Sequence, residues 1–130
     1  MRINVIPTSK VGEVEFGMSR EEVRTLLGEA TEFYKFEDDS NTTDDFGFCH
    51  VLYDQDNKCK AIEIFSEAEV FCNDTLIFPT DFITAKKAIS DFVEDDEGLI
   101  SYSQSIGIYA PDGDMESILF GKTGYYDEEE

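Results

Sequence analysis

Residues 12–28, GEVEFGMSREEVRTLLG, carry the local signal that decides most about the fold of this chain. Within it, Ser19 and Glu22 match a capping box, in which the Ser19 hydroxyl accepts a hydrogen bond from the Glu22 amide and the Glu22 carboxylate accepts one from the Ser19 amide. The apolar residues that follow recur at helical spacing on one face, and Gly28 is a residue type that ends helices. The segment therefore predicts a helix of about two to three turns that begins at Ser19 and stops at Gly28.

The residues after this helix alternate between strand-like and loop-like composition. Residues 31–36 mix aromatic and polar side chains and predict a strand, whereas residues 37–45, EDDSNTTDD, contain no apolar residue and predict an exposed loop. Residues 46–53 and 59–65 are apolar, β-branched or aromatic and flank a polar connection of five residues. Two antiparallel strands joined as a hairpin are therefore predicted over these two runs.

The second half of the chain shows a similar order of patterns. Two apolar runs within residues 70–78 flank an Asn-Asp pair and predict short strands joined by a tight turn. Apolar residues between 80 and 97 recur near helical spacing and predict a second amphipathic helix. Residues 101–120 are apolar on both sides of a Pro-Asp-Gly-Asp turn and predict a second hairpin. Residues 124–126 predict a terminal strand that leads into an acidic end.

These elements together predict one α+β domain over residues 1–130, with an antiparallel sheet and two short helices packed on one of its faces. Residues 12–66 and 76–122 each contain a helix followed by a hairpin, which suggests two helix–hairpin repeats side by side in one sheet. A nine-residue spacing from tyrosine to isoleucine recurs after Tyr53 and after Tyr109. Chance similarity stays open as the alternative, because any two hairpins share alternation and turn chemistry.

The charge of the chain is strongly one-sided. Its 130 residues include 30 Asp and Glu against 10 Lys and Arg, a net charge of −20. Such a charge repels nucleic acid and anionic membranes and accelerates encounter with a basic partner. Hydrophobic residues make up 41% of the chain, so the composition is that of a folded domain and not of a disordered acidic tail. We therefore expect no direct nucleic-acid or membrane binding and a basic protein as partner.

The N-terminal segment and the cysteines indicate the cellular compartment. Residues 1–10, MRINVIPTSK, contain no apolar core of about 7 to 15 residues, and no later run approaches the length of about 20 needed to cross a bilayer. Cys49, Cys59 and Cys72 are an odd, widely spaced set, which favours reduced buried thiols over a disulfide framework. The sequence predicts a cytoplasmic protein.

Patterns for catalysis or metal binding are weak in this chain. His50 adjoins Cys49, but neighbouring residues of a strand point to opposite faces, which argues against the two as a nucleophile–base pair. An approach of Cys59 or Cys72 to His50 across strands stays open as the alternative. The chain has no C-x-x-C motif, and the loop that starts at Asp54 lacks the glycine and glutamate of an EF-hand. Carboxylate pairs are too numerous to single one out. We expect no catalytic residues, no metal site and no cofactor.

Residues 12–28 resemble the G-x-V-x-x-G-M-S-x-x-E-V…L-G opening of small two-layer α+β repeat domains. The β-lactamase inhibitor proteins and a small outer-membrane assembly lipoprotein are similar to it. The resemblance implies one or two short helices against an antiparallel sheet whose other face or loops grip a protein partner. The lipoprotein's lipidated cysteine and the secreted inhibitors' disulfides have no counterpart here, so membrane anchoring and cross-linking do not carry over.

A second resemblance concerns residues 50–54, HVLYD, residues 61–64, AIEI, and the closing GYY at 124–126. They are similar in style to small acidic immunity proteins of bacterial polymorphic toxin and contact-dependent growth inhibition systems. This resemblance implies a non-catalytic inhibitor that blocks a cognate basic toxin domain, commonly a nuclease. Two alternatives stay open: a DNA mimic that binds a DNA-handling protein, and a small ligand-binding or hydrolytic domain.

The acidic clusters and the tyrosines supply the candidate contacts with such a partner. Carboxylates that face a nucleic-acid groove can pair with its lysines and arginines. Tyrosines are favoured anchors of protein interfaces. The predicted acidic surface consists of Asp38, Asp39, Asp44, Asp45, Asp95 and Asp96, and the predicted anchors are Tyr34, Tyr125 and Tyr126.

Overall fold

Two short helices and thirteen short strands make up the computed structural model, which describes residues 1–65 and 67–126. The helices are α1 (Arg20–Leu27) and α2 (Phe82–Ala88). The strands are β1 (Arg2–Ile6), β2 (Lys10–Val11), β3 (Val14–Glu15), β4 (Thr31–Phe33), β5 (Thr43–Asp45), β6 (Cys49–Tyr53), β7 (Cys59–Phe65), β8 (Glu69–Cys72), β9 (Thr75–Phe78), β10 (Val93–Asp95), β11 (Gly98–Ser101), β12 (Ile106–Tyr109) and β13 (Ser117–Gly121). The α+β class predicted from the sequence is confirmed.

The strands form two sheets, not the single sheet predicted. An eight-stranded antiparallel sheet has the order β10-β11-β12-β13-β7-β6-β5-β4. A five-stranded sheet has the order β3-β2-β1-β8-β9 and contains one parallel pair, β1 with β8. The parallel pair was not predictable locally, because its strands are separated by the whole first half of the chain. The two predicted hairpins lie side by side in the larger sheet, where β7 pairs with β13.

Helix α1 begins and ends as predicted. The Glu22 amide donates to Ser19 Oγ at 3.2 Å, and the Ser19 amide donates to Glu22 Oε1 at 3.0 Å. At the other end, the amide of Gly28, which has φ 100°, donates to the Arg24 carbonyl at 2.9 Å. Glycine adopts this positive φ without the steric cost that a side chain would add. The capping box and the glycine stop are therefore both confirmed.

Helix α2 is shorter than predicted. Asp81 caps its start by accepting a hydrogen bond from the Thr84 amide at 2.7 Å, and the helix ends at Ala88 instead of continuing towards Gly98. The residues that follow turn and form β10, which pairs with β11. β-Branched Val93 suits a strand, and the sheet supplies hydrogen bonds that compete with further helical turns.

The polar stretch 37–45 is not an exposed loop throughout. Residues 43–45 form β5, which pairs with β4 on one side and β6 on the other. Thr43 and Asp44 are fully buried there. Composition alone misplaced these residues, because their burial depends on partners from elsewhere in the chain.

Asp44 is held by a buried polar cluster that ties α1 to the sheet. Its carboxylate accepts from Arg20 Nη1 at 2.8 Å, from Arg24 Nε at 2.9 Å and Nη2 at 2.7 Å, and from the Tyr53 hydroxyl at 2.9 Å. The Arg20 guanidinium also lies 4.1 Å from the centroid of the Tyr53 ring. Burial alone would raise the pKa of Asp44, but the hydrogen bonds of Arg24 and Tyr53 and the charge of Arg20 outweigh it and lower the pKa.

Two further predicted strands differ in the structure. Residues 102–105 form a turn with Ser105 at φ 54°, so the predicted strand 101–110 is divided between β11 and β12. Residues 122–126 turn back on the sheet, with the Tyr125 amide donating to the Lys122 carbonyl at 3.0 Å, and do not form the predicted terminal strand. The acidic residues 127–130 lie outside the described residues.

One hydrophobic cluster joins both sheets and both helices. It includes Ile3 and Val70 from the smaller sheet, Ile118 from the larger sheet, Val23 from α1 and Ala85 from α2. Burial of apolar surface in such a cluster is the main stabilising contribution to folding. In the described part of the chain, neither helix has the length and apolar character that crossing a membrane requires.

Candidate functional site

The eight-stranded sheet has two unlike faces. Val51, Ile62 and Ile118 point into the hydrophobic core. Because side chains alternate along a strand, the residues between them point the other way. In register across this second face lie His50 of β6, Glu63 of β7 and a leucine of β13. We call the face that carries His50 and Glu63 the outer face.

A groove of about 440 Å³ runs along the outer face. Its floor consists of β7, β12 and β13, and its sides consist of residues 35–36, the turn between β10 and β11, and Tyr126. A Cβ atom at Gly107 in the floor would lie 2.2 Å from the Tyr126 hydroxyl oxygen, so a side chain there would have to displace the Tyr126 ring. We call this feature the outer groove. A volume of this size falls in the range of about 300–1,000 Å³ seen for ligand sites.

An ion pair lies at one side of the outer groove. Lys35 Nζ lies 2.6 Å from Glu63 Oε1, and the Ser117 hydroxyl donates to Glu63 Oε2 at 2.6 Å. Both carboxylate oxygens therefore have a partner, and both charged side chains are largely buried. Glu63 and Ser117 belong to neighbouring strands of the sheet, whereas Lys35 belongs to the irregular segment after β4.

His50 extends this polar group along the outer face. Lys35 Nζ lies 3.0 Å from His50 Nδ1, and because an ammonium only donates, Nδ1 is the acceptor. The proton of the neutral ring is then on Nε2, which lies 3.7 Å from Asp45 Oδ1. Phe33 and Phe65 contact the ring edge-on, with centroids at 4.9 and 4.7 Å. Burial, and next the charge of Lys35, lower the pKa of His50.

These contacts suit the binding of a charged group more than nucleophilic chemistry. The Ser117 hydroxyl donates to Glu63 and not to His50, and His50 Nδ1 is occupied by Lys35. Cys49 lies on the core face of β6, and burial raises the pKa of its thiol to about 12. Within residues 1–65 and 67–126, no group of three or more His, Cys, Asp or Glu side chains is placed to hold a metal ion.

Three of the residues predicted to contact a partner lie on or beside the outer face. Asp45 faces His50 there, Asp95 lines the outer groove at the end of β10, and Tyr126 lines it over Gly107. Asp96 is exposed in the same turn as Asp95. Tyr125 is half-buried and packs over Gly121 of β13.

The remaining predicted contacts divide between an exposed connection and the interior. Asp38 is exposed in the segment between β4 and β5, and Asp39 accepts a hydrogen bond from the Phe36 amide at 3.0 Å in the same segment. Tyr34, also in this segment, is 68% exposed. Asp44 was wrongly assigned to a contact surface, because it is fully buried against two arginines of α1.

The prediction missed Lys35, Glu63 and Ser117, which form the polar part of the outer groove. Each of the three lies in a segment from which we inferred a strand and no functional residue. The available signal was a single charge of opposite sign in each of two otherwise apolar segments, FYKF at 33–36 and AIEIF at 61–65. A charge that interrupts an apolar strand usually needs a partner when it is buried.

Comparison with known proteins adds no relative. No protein-family model matches the chain, and no curated protein and no solved structure matches it significantly. The resemblances noted for residues 12–28 and for the later segments therefore stay predictions.

Proposed function

We propose that this chain is a non-catalytic inhibitory binding protein that neutralises a basic toxin domain in the cytoplasm, as an immunity protein does. The observation that carries the proposal is the outer groove: an apolar groove with exposed aromatics and acidic residues at its edge, on a chain of net charge −20. The partner is a nuclease-type domain, whose substrate surface is basic because it binds phosphates. Covering that surface blocks substrate without any chemistry.

The charge supports rapid association with such a partner. Attraction between opposite potentials raises association rate constants up to about 10⁸–10⁹ M⁻¹s⁻¹ at low salt. Asp95 and Asp96 are exposed beside the outer groove. Asp38 is exposed on the segment between β4 and β5, which also contains residues 35–36 at one side of the groove. These carboxylates lie near the edge of the contact, where charges affect association more than dissociation.

Exposed aromatic side chains support the outer face as the place of contact. Phe36 and Tyr109 line the outer groove and are 52% and 43% exposed. Aromatic residues contribute much of the binding free energy at interfaces when a partner covers them. Burying each of them gains about 25 cal/mol per Å² of apolar surface removed from water.

We also infer that the two halves of the chain derive from one duplicated unit, as the interval 12–66 and 76–122 suggests. In each half, a helix is followed by four antiparallel strands, and the halves meet where their last strands, β7 and β13, pair. The tyrosine spacing is not the basis of this inference. Tyr53 is buried against Asp44 in the core, whereas Tyr109 lies on the outer face. Two such units side by side produce one wide outer face.

The test starts from the partner. The tagged chain captures proteins from nuclease-treated lysate of the source cells, with washes at stepped salt, and the bound proteins are identified. The proposal expects one basic partner whose isolated domain kills cells unless this chain is co-expressed. Several unrelated basic partners released at moderate salt would instead indicate the DNA mimic.

Matched variants then connect protection with the outer face. Phe36→Ala combined with Tyr109→Ala should abolish protection of the cells. Ile83→Ala is the control, because Ile83 is an apolar side chain on α2 that is 72% exposed and does not line the outer groove. Equal protection by the parent chain, the Phe36→Ala/Tyr109→Ala variant and the Ile83→Ala variant would exclude the outer face as the inhibitory surface.

A small-ligand-binding domain is the second candidate function. The observation that favours it is the volume of the outer groove together with a polar group, Lys35, Glu63 and Ser117, on its lining. This function predicts a stabilising small molecule in a thermal-shift screen and no toxic partner in the capture experiment.

A further inference from the structure

We propose that the outer groove receives one arginine side chain of the basic partner, and that Glu63 binds its guanidinium after Lys35 has moved away. This inference rests on the proposed function and specifies which group of the partner enters the outer groove. Four features carry it: the charge balance of the groove, the placement of the ion pair, the orientation of Glu63 and the nature of the walls.

The charge balance of the outer groove favours a cation. Its lining contains the carboxylates of Glu63, Asp95 and Glu97 and a single ammonium, that of Lys35. Lys35 neutralises one carboxylate, which leaves two in excess. An incoming cation therefore meets a complementary potential, whereas an anion is repelled.

The two members of the ion pair differ in how firmly the fold holds them. Glu63 lies within β7, a strand of seven residues that pairs with β6 and β13 along its length. Lys35 lies after the end of β4, outside any strand, and its ammonium is carried by a long flexible side chain. In this proposal the carboxylate keeps its place, while the ammonium gives up its contacts with Glu63 Oε1 and His50 Nδ1 and rotates into water, where it is well hydrated. Lys35 acts as a built-in substitute for the partner's cation.

The Ser117 hydroxyl orients the receiving carboxylate. It donates to Glu63 Oε2 at 2.6 Å and leaves Oε1, now 2.6 Å from Lys35 Nζ, directed at the cation. A guanidinium is planar and donates through several N–H groups, so it can bind this oxygen through one or two of them. Asp95 and Glu97 lie at the β10 side of the sheet, several strands from Glu63, and attract the cation through their charge only.

The walls of the outer groove distinguish arginine from lysine. Leu119, Ile100 and Tyr109 provide apolar and aromatic surface in this lining, and the Tyr126 hydroxyl covers Gly107 of the floor. A guanidinium stacks on aromatic faces and is more weakly hydrated than an ammonium. Entry into this partly apolar groove therefore costs arginine less desolvation.

The experiment uses three small probes and the full chain. N-acetylarginine methylamide, its lysine analogue and the neutral citrulline analogue are titrated separately while the backbone amide signals are followed by NMR. We expect saturable shifts at residues 63, 107 and 119 with the arginine probe, weaker shifts with lysine, and none with citrulline. Shifts spread evenly over all acidic segments would overturn the proposal, because they indicate diffuse attraction only.

Variants with equal charge change separate the groove from the general field. Glu63→Gln should weaken binding of the arginine probe about tenfold or more, since it removes the charge-assisted contact. Asp112→Asn removes the same charge from the exposed turn before β13 and should leave affinity within about twofold. Equal losses in the two variants would refute a specific role of Glu63.

Lys35 and Ser117 test the displacement itself. Lys35→Met removes the internal competitor and should tighten binding of the arginine probe, whereas weaker binding would show that Lys35 is not displaced. Ser117→Ala keeps the charge and removes only the orienting hydroxyl, so it should weaken binding less than Glu63→Gln does. An amide spectrum like that of the parent chain is the control for the folding of this variant. If these variants bind normally while the outer face still protects cells, only this inference fails and the proposed function stands.

Discussion

Substitution Asp44→Ala is expected to destabilise the chain more than any other single change of an acidic residue. The Asp44 side chain is fully buried and accepts hydrogen bonds from Arg20, Arg24 and Tyr53. Its removal leaves the Arg20 guanidinium buried without a counter-charge. Removing one partner of a buried ion pair costs about 3–5 kcal/mol of the free energy of unfolding.

The geometry places the expected loss near the lower end of this range. The Arg24 side chain is partly exposed and keeps its contact with Glu32, at 3.0 Å, so it can be solvated. Arg20 keeps hydrogen bonds to Asn57 at 3.0 Å and to the Thr42 carbonyl at 2.8 Å. We therefore expect a loss of about 3 kcal/mol, most of it from the desolvated charge of Arg20.

Urea unfolding followed by circular dichroism measures this loss. With a slope of about 1.5 kcal/mol per M, the midpoint should fall by about 2 M. Asp38→Ala is the matched control, because it makes the same change of charge at an exposed position and should shift the free energy by less than about 0.5 kcal/mol. Similar midpoints for the two variants would refute the structural role assigned to Asp44.

The pH dependence of the parent chain provides an independent check. The folded pKa of Asp44 is lowered from its ordinary value of 3.8, so the unfolded chain binds this proton first as pH falls. The contribution of Asp44 is complete above pH 3.8 and is lost as pH falls through the lower, folded pKa. The free energy of unfolding of the Asp44→Ala chain should therefore lack the part of the decrease at low pH that comes from protonation of Asp44.

Three further outcomes follow from single residues. Because the folded pKa of His50 lies below 6.5, the stability of the parent chain should decrease as pH falls from 6.5 to that pKa. His50→Gln should therefore show a smaller change in urea midpoint between about pH 8 and about pH 5 than the parent chain does. Equal changes in the two chains would contradict the neutral state assigned to the His50 ring. Gly98→Ala places a Cβ atom 1.9 Å from a carbonyl oxygen of β12 and should lower the free energy of unfolding by more than about 2 kcal/mol. Gly113→Ala, whose Cβ atom would meet no neighbour, should lower it by about 1 kcal/mol, and equal unfolding midpoints for the two variants would contradict this. Burial raises the pKa of the Cys49 and Cys59 thiols to about 12, so iodoacetamide should label them only after unfolding in urea, and rapid labelling of the native chain would disprove their burial.

Local elements were predictable where a few neighbouring residues carry the whole signal. The capping box at Ser19 needs only the next three residues, and the hairpin connection at 54–58 needs only its own turn. The extent of α2 was not predictable in this way. Residues 93–95 pair with β11, and this competition between helix and sheet is absent from any local window.

The candidate site shows the same division. Its strands β7 and β13 lie within predicted hairpins, yet their pairing with each other joins residues far apart in the chain and brings Glu63 beside Ser117. Lys35 reaches the same carboxylate from a segment whose composition indicated only a strand. Alternation placed these side chains on a face, but it did not say which residues share it.

The sequence by itself determined the charge of −20, the capped helix, the hairpins and the α+β class, because composition and short-range hydrogen bonding depend on neighbouring residues. Only the tertiary structure decided that β1 pairs with β8, that Asp44 is buried, and that an ion pair lies in the outer groove. Each of these depends on partners distant in the chain. A carboxylate such as Asp44 is exposed by its own chemistry and is buried only because two arginines, the nearer 20 residues away, compensate its desolvation.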